Sequence, residues 1–451
     1  MARGTTTVGM LLTLALLIPA LGWPSASARR PPDDAYAQVG VPEGDRGGAA
    51  KAASVSLRPV DGAGQGPFTG RPPIAKGAFY PIAVWFESVI TPSDVRKDEA
   101  AGLNTYLELT ADSRTDLATE AGMRVVASNV RMSPGAPFLL PDEVDMWAGP
   151  GDDPWTGSWP EDGQVCIPAD GACGYTIVDQ ELSRVPDSTW VYGQFGKGVM
   201  MWQTRAQARR FVNTGTHAAS SDLYWFTDPN ICGSSEAGWF LGIDGEVPEQ
   251  RCRVGFNYGK TVQRMRSLVR PRGRIPIWVF VEVGTPFDGS GAVSITPGQI
   301  RDAVWSGIIH GARGVAYFNH NFGGDCLSQH VLRETCGNHV RPAVTKLNNR
   351  ISRRARLLNA PFVDGLVKVT GKLDVSVKLH RGRFVLLVGR KANGSVSGTI
   401  TFRCGKPVRA VDGRAGSIRV VDRRTLPLDL TSRQSIRILK LDGGHTCGLT
   451  D

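Results

Sequence analysis

Two hydropathy textures divide the chain. From about residue 76 to 360, short apolar runs alternate with longer stretches whose apolar residues recur at helical spacing. The runs read as strands: Tyr80 to Phe86 ending at Glu87, Asn104 to Thr110, Met123 to Ser128, Val144 to Ala148, Trp190 to Phe195, Asp222 to Asp228, Ile275 to Glu282 and Val315 to His320. Thr91-Pro-Ser-Asp94 and Thr296-Pro-Gly-Gln299 each set a capping residue before a first-turn Pro, and Gly102, Gly122 and Gly311 stand where the helical period stops. Further helices are expected over 113–121, 177–185, 204–213, 261–269 and 340–358. Regular strand–helix alternation predicts a parallel sheet, and eight such units fit an α/β fold of the (β/α)8 TIM-barrel type.

From about Pro361 the period shortens. Runs such as Lys378 to Val388 and Gly398 to Phe402 alternate apolar and polar positions, and Asn393-Gly394 and Asp412-Gly413 supply turns. A small antiparallel β-sandwich is expected over 361–451. Residues 29–75 are rich in Pro, Gly, Ala and charge without periodicity and read as a flexible linker. Before them, Arg3, the apolar stretch Met10 to Leu21 and Ala26-Ser-Ala28 form a signal-peptide pattern over 1–28, with cleavage after Ala28. That stretch is too short to span a bilayer comfortably, so a secreted protein without a membrane anchor is expected.

Composition refines this picture. The chain of 451 residues, 41% hydrophobic and 21% charged, suits an ordinary globular protein of two or three domains. Eight cysteines fall into four local couples, Cys166 with Cys173, Cys232 with Cys252, Cys326 with Cys336 and Cys404 with Cys447, as in an exported, disulfide-bonded chain. Neither C-x-x-C spacing nor a His cluster accompanies them, which argues against zinc. The net charge of +10 raises the question of nucleic acid. The densest basic run, Arg353-Arg-Ala-Arg356, has no aromatic neighbours and reads as a solvated helix face, so no nucleic-acid partner is expected.

The chemistry-bearing residues gather where the expected strands end. Glu87, Glu108, Asp152 with Asp153, Asp228 and Glu282 are acidic; Tyr106, Trp147, Tyr224, Trp225, Trp278 and Tyr317 add ring faces; Asn319 and His320 close the last strand. In such barrels, catalysis sits at strand C-termini. Ring faces with fixed carboxylates suit a sugar, whereas phosphate would want a cationic cradle. No P-loop, nucleophile-elbow or zinc-protease motif is present, and no cofactor or metal is expected. Glycoside cleavage needs two carboxyl groups across one bond, one protonating the leaving oxygen and one attacking carbon or activating water. Adjacent Asp152 and Asp153 would raise one another's pKa, which favours an acid.

On these residues the chain resembles the glycoside hydrolase superfamily of (β/α)8 enzymes, over roughly residues 79 to 360. The resemblance implies an acid/base after strand four and a nucleophile after strand seven. Glu282 matches the strand-seven position. Trp147-Ala-Gly-Pro-Gly-Asp-Asp-Pro154 looks like a Trp-x4-Asp-Glu-Pro tip, with Asp153 standing where Glu is expected; the usual Asn-Glu pair after strand four is absent. The expectation is a secreted glycosidase with Glu282 as nucleophile or base, Asp153 as acid with Asp152 beside it, and Asp228, Glu108, Glu87, Tyr317, His320, Asn319 and Trp225 contacting a carbohydrate substrate. The alternatives are a carbohydrate-binding barrel without catalysis and a polyanion binder using the net charge.

Overall fold

The computed structural model describes residues 55–128, 135–150, 173–289, 292–403, 409–412, 418–420 and 424–442. The signal peptide, most of the 29–75 segment, Asp152, Asp153, Cys166, Cys404 and Cys447 lie outside these residues.

Residues 55–75 depart from the linker expectation. Strand β1 (Ser56–Arg58) pairs antiparallel with the C-terminal region, Ser56 opposite Asp364. The following segment crosses the loops that precede the parallel strands. Gly62 N–H donates to Gly273 O at 2.8 Å, Thr69 Oγ1 donates to Gly135 O at 2.8 Å, and Asp61 pairs with Arg266. Low apolar content hid this order, because the segment is held by polar links and by Phe68 and Ile74 packed on the interior core.

Eight parallel strands follow: β2 (Ile82–Glu87), β3 (Thr105–Leu109), β4 (Arg124–Val126), β5 (Phe138–Leu139), β6 (Val191–Phe195), β7 (Ala218–Ser221), β8 (Val279–Glu282) and β9 (Val315–Phe318). They form one sheet in the order β4-β3-β2-β9-β8 and another in the order β5-β6-β7. An Ala219–Ile277 parallel bridge joins β7 to the approach of β8, and Ala127 N–H reaches Pro137 O at 3.4 Å between β4 and β5. Ala83, Leu107, Val126, Leu139, Tyr192, Ala218, Phe280 and Ala316 form one buried cluster, while alternate strand residues such as Val84, Tyr106, Val191, Val279 and Tyr317 join a second cluster with the helices.

Two strands sit earlier than the sequence pattern implied. Val144–Trp147 is a helical turn, closed by Ala148 N–H to Val144 O at 3.2 Å. The strand in its place is Phe138–Leu139, a two-residue run squeezed between Pro137 and Pro141, too short to read as a strand. Likewise β7 ends at Ser221, and 225–227 is a turn. Its Ala-Ala-Ser-Ser is small enough for a crowded interior but lacks the apolar signal of a strand. The helices follow expectation closely: Thr204 and Thr296 both form capping boxes, and Gly255–Leu268 extends the helix expected at 261–269.

The C-terminal region is antiparallel. A seven-stranded sheet runs β1-β10-β12-β13-β18-β15-β16, with β10 (Phe362–Asp364), β12 (Leu373–His380), β13 (Arg383–Arg390), β15 (Arg409–Asp412), β16 (Ile418–Val420) and β18 (Arg437–Asp442). The second sheet is β11 (Val367–Gly371), β14 (Val396–Phe402) and β17 (Thr425–Leu430). Both sheets contribute to one core, including Leu373, Leu386, Ile400 and Leu428. Cys232–Cys252 and Cys326–Cys336 are disulfides between local loops.

Candidate functional site

The loops after β5, β7 and β8 bring carboxyl groups together. After β5, Leu140-Pro141 leads directly to Asp142 and Glu143. Glu143 has φ +48°, a left-handed conformation that costs a non-glycine residue about 1–2 kcal/mol. Phe86 and Glu108, at the corresponding ends of β2 and β3, share it with φ +53° and +60°. Such strain concentrates where side-chain placement outweighs backbone comfort. The turn behind Glu143 is pinned by Asp145, whose buried carboxylate accepts from Gly196 N–H at 3.0 Å and Val199 N–H at 2.6 Å. A Cβ on Gly198 would lie 2.3 Å from Asp145 O, so glycine lets these two loops meet.

Asp222 follows β7 and hydrogen-bonds Glu143 side chain to side chain. Tyr224 Oη donates to Asp222 at 3.4 Å. Glu282 ends β8 with no exposed surface; Tyr258 Oη lies 2.7 and 2.6 Å from its two oxygens, and Thr227 Oγ1 donates to it at 3.1 Å. Burial first, and then the neighbouring Asp222, Glu143, Asp142 and Glu282 charges, raise the Tyr224 hydroxyl, which places all four acids around it.

Burial sets the protonation. Desolvation pushes Glu282 up to about 7 against the opposing hydrogen bond from Tyr258. It pushes Asp145 to about 7 as well, against its backbone donors. Asp142 and Asp222 are raised well above the ordinary range by desolvation and then by the neighbouring Glu143 charge. Glu143 is raised by desolvation, opposed by its Asp222 hydrogen bond and by Lys197. Lys197 is itself clamped by Asp228 and Glu236, each at 2.7 Å.

The other residues singled out in the sequence have different surroundings. Asp228 spends one oxygen on Lys197 and the other on Asn230 N–H. Glu108 accepts from Leu109 and Ser128 N–H. Glu87 is buried against His330, Arg333 and Asn319, and Asn319 Oδ1 accepts from Leu332 N–H, which ties down the loop after β9. His320 donates to Phe86 O at 3.0 Å, and burial lowers its pKa to about 4. Tyr317 bonds Asn348 on the outer helix Arg341–Ser352, and Trp225 bonds Thr261 and packs on Phe240. Glu282 thus stands with the carboxyl group, while these residues hold strands, loops and helices in place.

The sequence reading passed over Asp142, Glu143, Asp222 and Tyr258. The available signal was Phe138-Leu-Leu-Pro-Asp-Glu143, an apolar run ending in two acids. Among the described residues no group of three or more His, Cys, Asp or Glu is arranged to hold a metal ion, and no helix is long and apolar enough to cross a membrane.

No family model matches the chain, and no curated protein matches it. Among solved structures, the chain is similar to glycoside hydrolases. One is a glycoside hydrolase family 5 protein from Bacteroides vulgatus ATCC 8482, at 8% identity and TM-score 0.46, covering 82% of this chain and 91% of that one. Another is the noncanonic maltogenic α-amylase AmyB from Thermotoga neapolitana, at 11% identity and TM-score 0.41, covering 80% and 98%. A third is a GH27 β-L-arabinopyranosidase from Geobacillus stearothermophilus, at 11% identity and TM-score 0.42, covering 80% and 97%.

Proposed function

We propose that the protein is a secreted glycoside hydrolase whose eight parallel strands close into a (β/α)8 barrel, with Glu143 as acid/base and Glu282 as nucleophile. The observation that carries this reading is positional. Glu143 follows the fourth parallel strand and Glu282 ends the seventh, and both act electrostatically on the one hydroxyl of Tyr224. Glu143 takes the acid role first expected of Asp153, because the strand that positions it is β5 and not 144–148.

The chemistry follows from the surroundings. Burial keeps a proton available on Glu143 against the opposing Asp222 hydrogen bond and Lys197 charge, and Glu143 delivers it to the leaving glycosidic oxygen. Glu282, once ionised, attacks the anomeric carbon while Tyr258 and Thr227 hold its carboxylate. Water activated by Glu143 then releases the sugar. Secretion accords with the 1–28 signal pattern and with the two disulfides.

The test is release of reducing ends from a panel of polysaccharides by the wild-type protein, E143Q and E282Q. Each variant should fold and lose at least about 100-fold in kcat/KM. Undiminished turnover by either one rejects its assignment. Binding of glycans without turnover by the wild type would favour a carbohydrate-binding barrel.

A further inference from the structure

A second constellation centres on Glu87. Ser88 directly follows the last residue of β2. Its Oγ stands 3.5 Å from Nε2 of His330, and Nδ1 of His330 stands 2.6 Å from Oε2 of Glu87. Hydroxyl, imidazole and carboxylate therefore form one chain of contacts. Glu87 is fully buried, whereas Ser88 and His330 are both part-exposed. His330 keeps 29% of its side-chain surface open, so a small molecule from solvent can approach the hydroxyl–imidazole pair.

The surroundings hold this chain of contacts in register. Desolvation raises the Glu87 carboxyl, while the His330 hydrogen bond and the Arg333 charge favour its ionised form. Asn319 Nδ2 donates to its other oxygen. An ionised carboxylate only accepts, so Nδ1 of His330 carries the proton and Nε2 turns a lone pair to Ser88. Arg333 Nη1 donates to Ser88 O at 2.6 Å, while its Nε and Nη2 hold Asp98 at 3.0 and 2.5 Å. The Ser88 main chain is thus tied to the loop that carries the imidazole, and the disulfide Cys326–Cys336 closes that loop.

We propose that Ser88, His330 and Glu87 hydrolyse carboxylic esters of small acyl groups, with Ser88 as nucleophile, His330 as base and Glu87 as the positioning residue behind it. The activity goes beyond the glycosidase reading and uses none of the residues assigned there. His330 Nε2 takes the hydroxyl proton as Ser88 Oγ bonds to the ester carbonyl carbon. The tetrahedral adduct collapses, the bond from that carbon to the alcohol oxygen breaks, and His330 gives its proton to the leaving oxygen. Water then adds to the acyl-serine, its proton passing to His330 and on to Ser88 Oγ, and the free acid departs. A separation of 3.5 Å suits a resting site, where such contacts are long and tighten on substrate. The sequence carries no nucleophile elbow because this arrangement is defined by geometry, with the base more than two hundred residues beyond the nucleophile.

The experiment gives the full chain p-nitrophenyl acetate and, separately, a fluorophosphonate that labels activated serines, with the label mapped by peptide mass spectrometry. The wild type should release p-nitrophenol above the buffer rate and carry the phosphonyl group on Ser88. S88A removes the nucleophile, and H330N keeps a donor for Glu87 but lacks the base. Each should lose about 100-fold or more in kcat/KM for the ester. Ester hydrolysis that persists in S88A overturns the proposal, because another nucleophile or the imidazole alone would then be responsible. The label map needs no variant to fold: a wild-type protein left unlabelled at Ser88, under conditions that label a serine esterase, overturns the proposal by itself.

Discussion

Glu282 carries the sharpest consequence at the residue scale. Its carboxyl has no exposed surface and is raised from 4.5 to about 7. A carboxyl that holds its proton more tightly when folded favours the folded state at low pH. That contribution is complete below about 4.5, declines as pH rises towards 7, and is gone above it. Asp145 acts in the same direction, from 3.8 to about 7. Stability should therefore fall between pH 5 and 8, and E282Q, which keeps the shape without the charge, should be the more stable protein at pH 8. The difference should reach about 2–4 kcal/mol in urea denaturation. A pH-independent difference would remove burial as the cause of the shift. Tyr258 bears on the same carboxylate from the opposite direction. Y258F deletes a donor to the ionised form, so the acidic limb of the pH–rate profile should move to higher pH while the fold persists.

At the scale of elements, placement of the acids depends on short, poorly patterned pieces. Two residues of β5, four of β7 and a turn pinned by Asp145 decide where Glu143 and Asp222 stand. The long periodic elements, by contrast, were legible. Helix Pro297–Ile309 begins at its Thr-Pro-x-Gln signal, and β8 ends on Glu282 as its apolar run implies. Hydrophobic period measures burial along many residues, so a two-residue strand between prolines escapes it. The segment 55–75 escaped for a related reason, since its order comes from partners 66 or more residues away. Asp61 is 7% exposed and pairs with Arg266. D61A leaves that guanidinium uncompensated and should cost about 1–3 kcal/mol, read by chemical denaturation; a change under about 0.5 kcal/mol would class the pair with ordinary surface bridges.

For the whole molecule, one buried carboxylate connects the two regions. Asp302, on helix Pro297–Ile309, accepts from Arg390 Nε at 2.9 Å and Nη2 at 2.5 Å and from Ser435 Oγ. Lys378 of β12 reaches back to Leu358 O at 3.1 Å and Ala360 O at 2.9 Å. Strand β1 adds an edge to the antiparallel sheet and continues into the segment lying across the parallel strands. The sheets should therefore unfold together. In D302A, which takes the carboxylate from Arg390 and leaves it Gly394 O and Ser432 Oγ, calorimetry should show about 3–5 kcal/mol lost and the single transition splitting in two. One unsplit transition at the wild-type temperature would show that the regions do not depend on this link.

The sequence alone determined the alternation of strands and helices, the change of texture near Pro361 and the acid at the end of Ile275–Glu282, because each is written in neighbouring residues. Tertiary structure decided which other acids share an influence on the Tyr224 hydroxyl with Glu282. Asp142, Glu143 and Asp222 converge through pairing of strands that are distant along the chain, and Asp228, Glu108 and Glu87 are taken up by partners equally distant. Convergence and desolvation belong to the folded arrangement, because both depend on groups that only folding brings together.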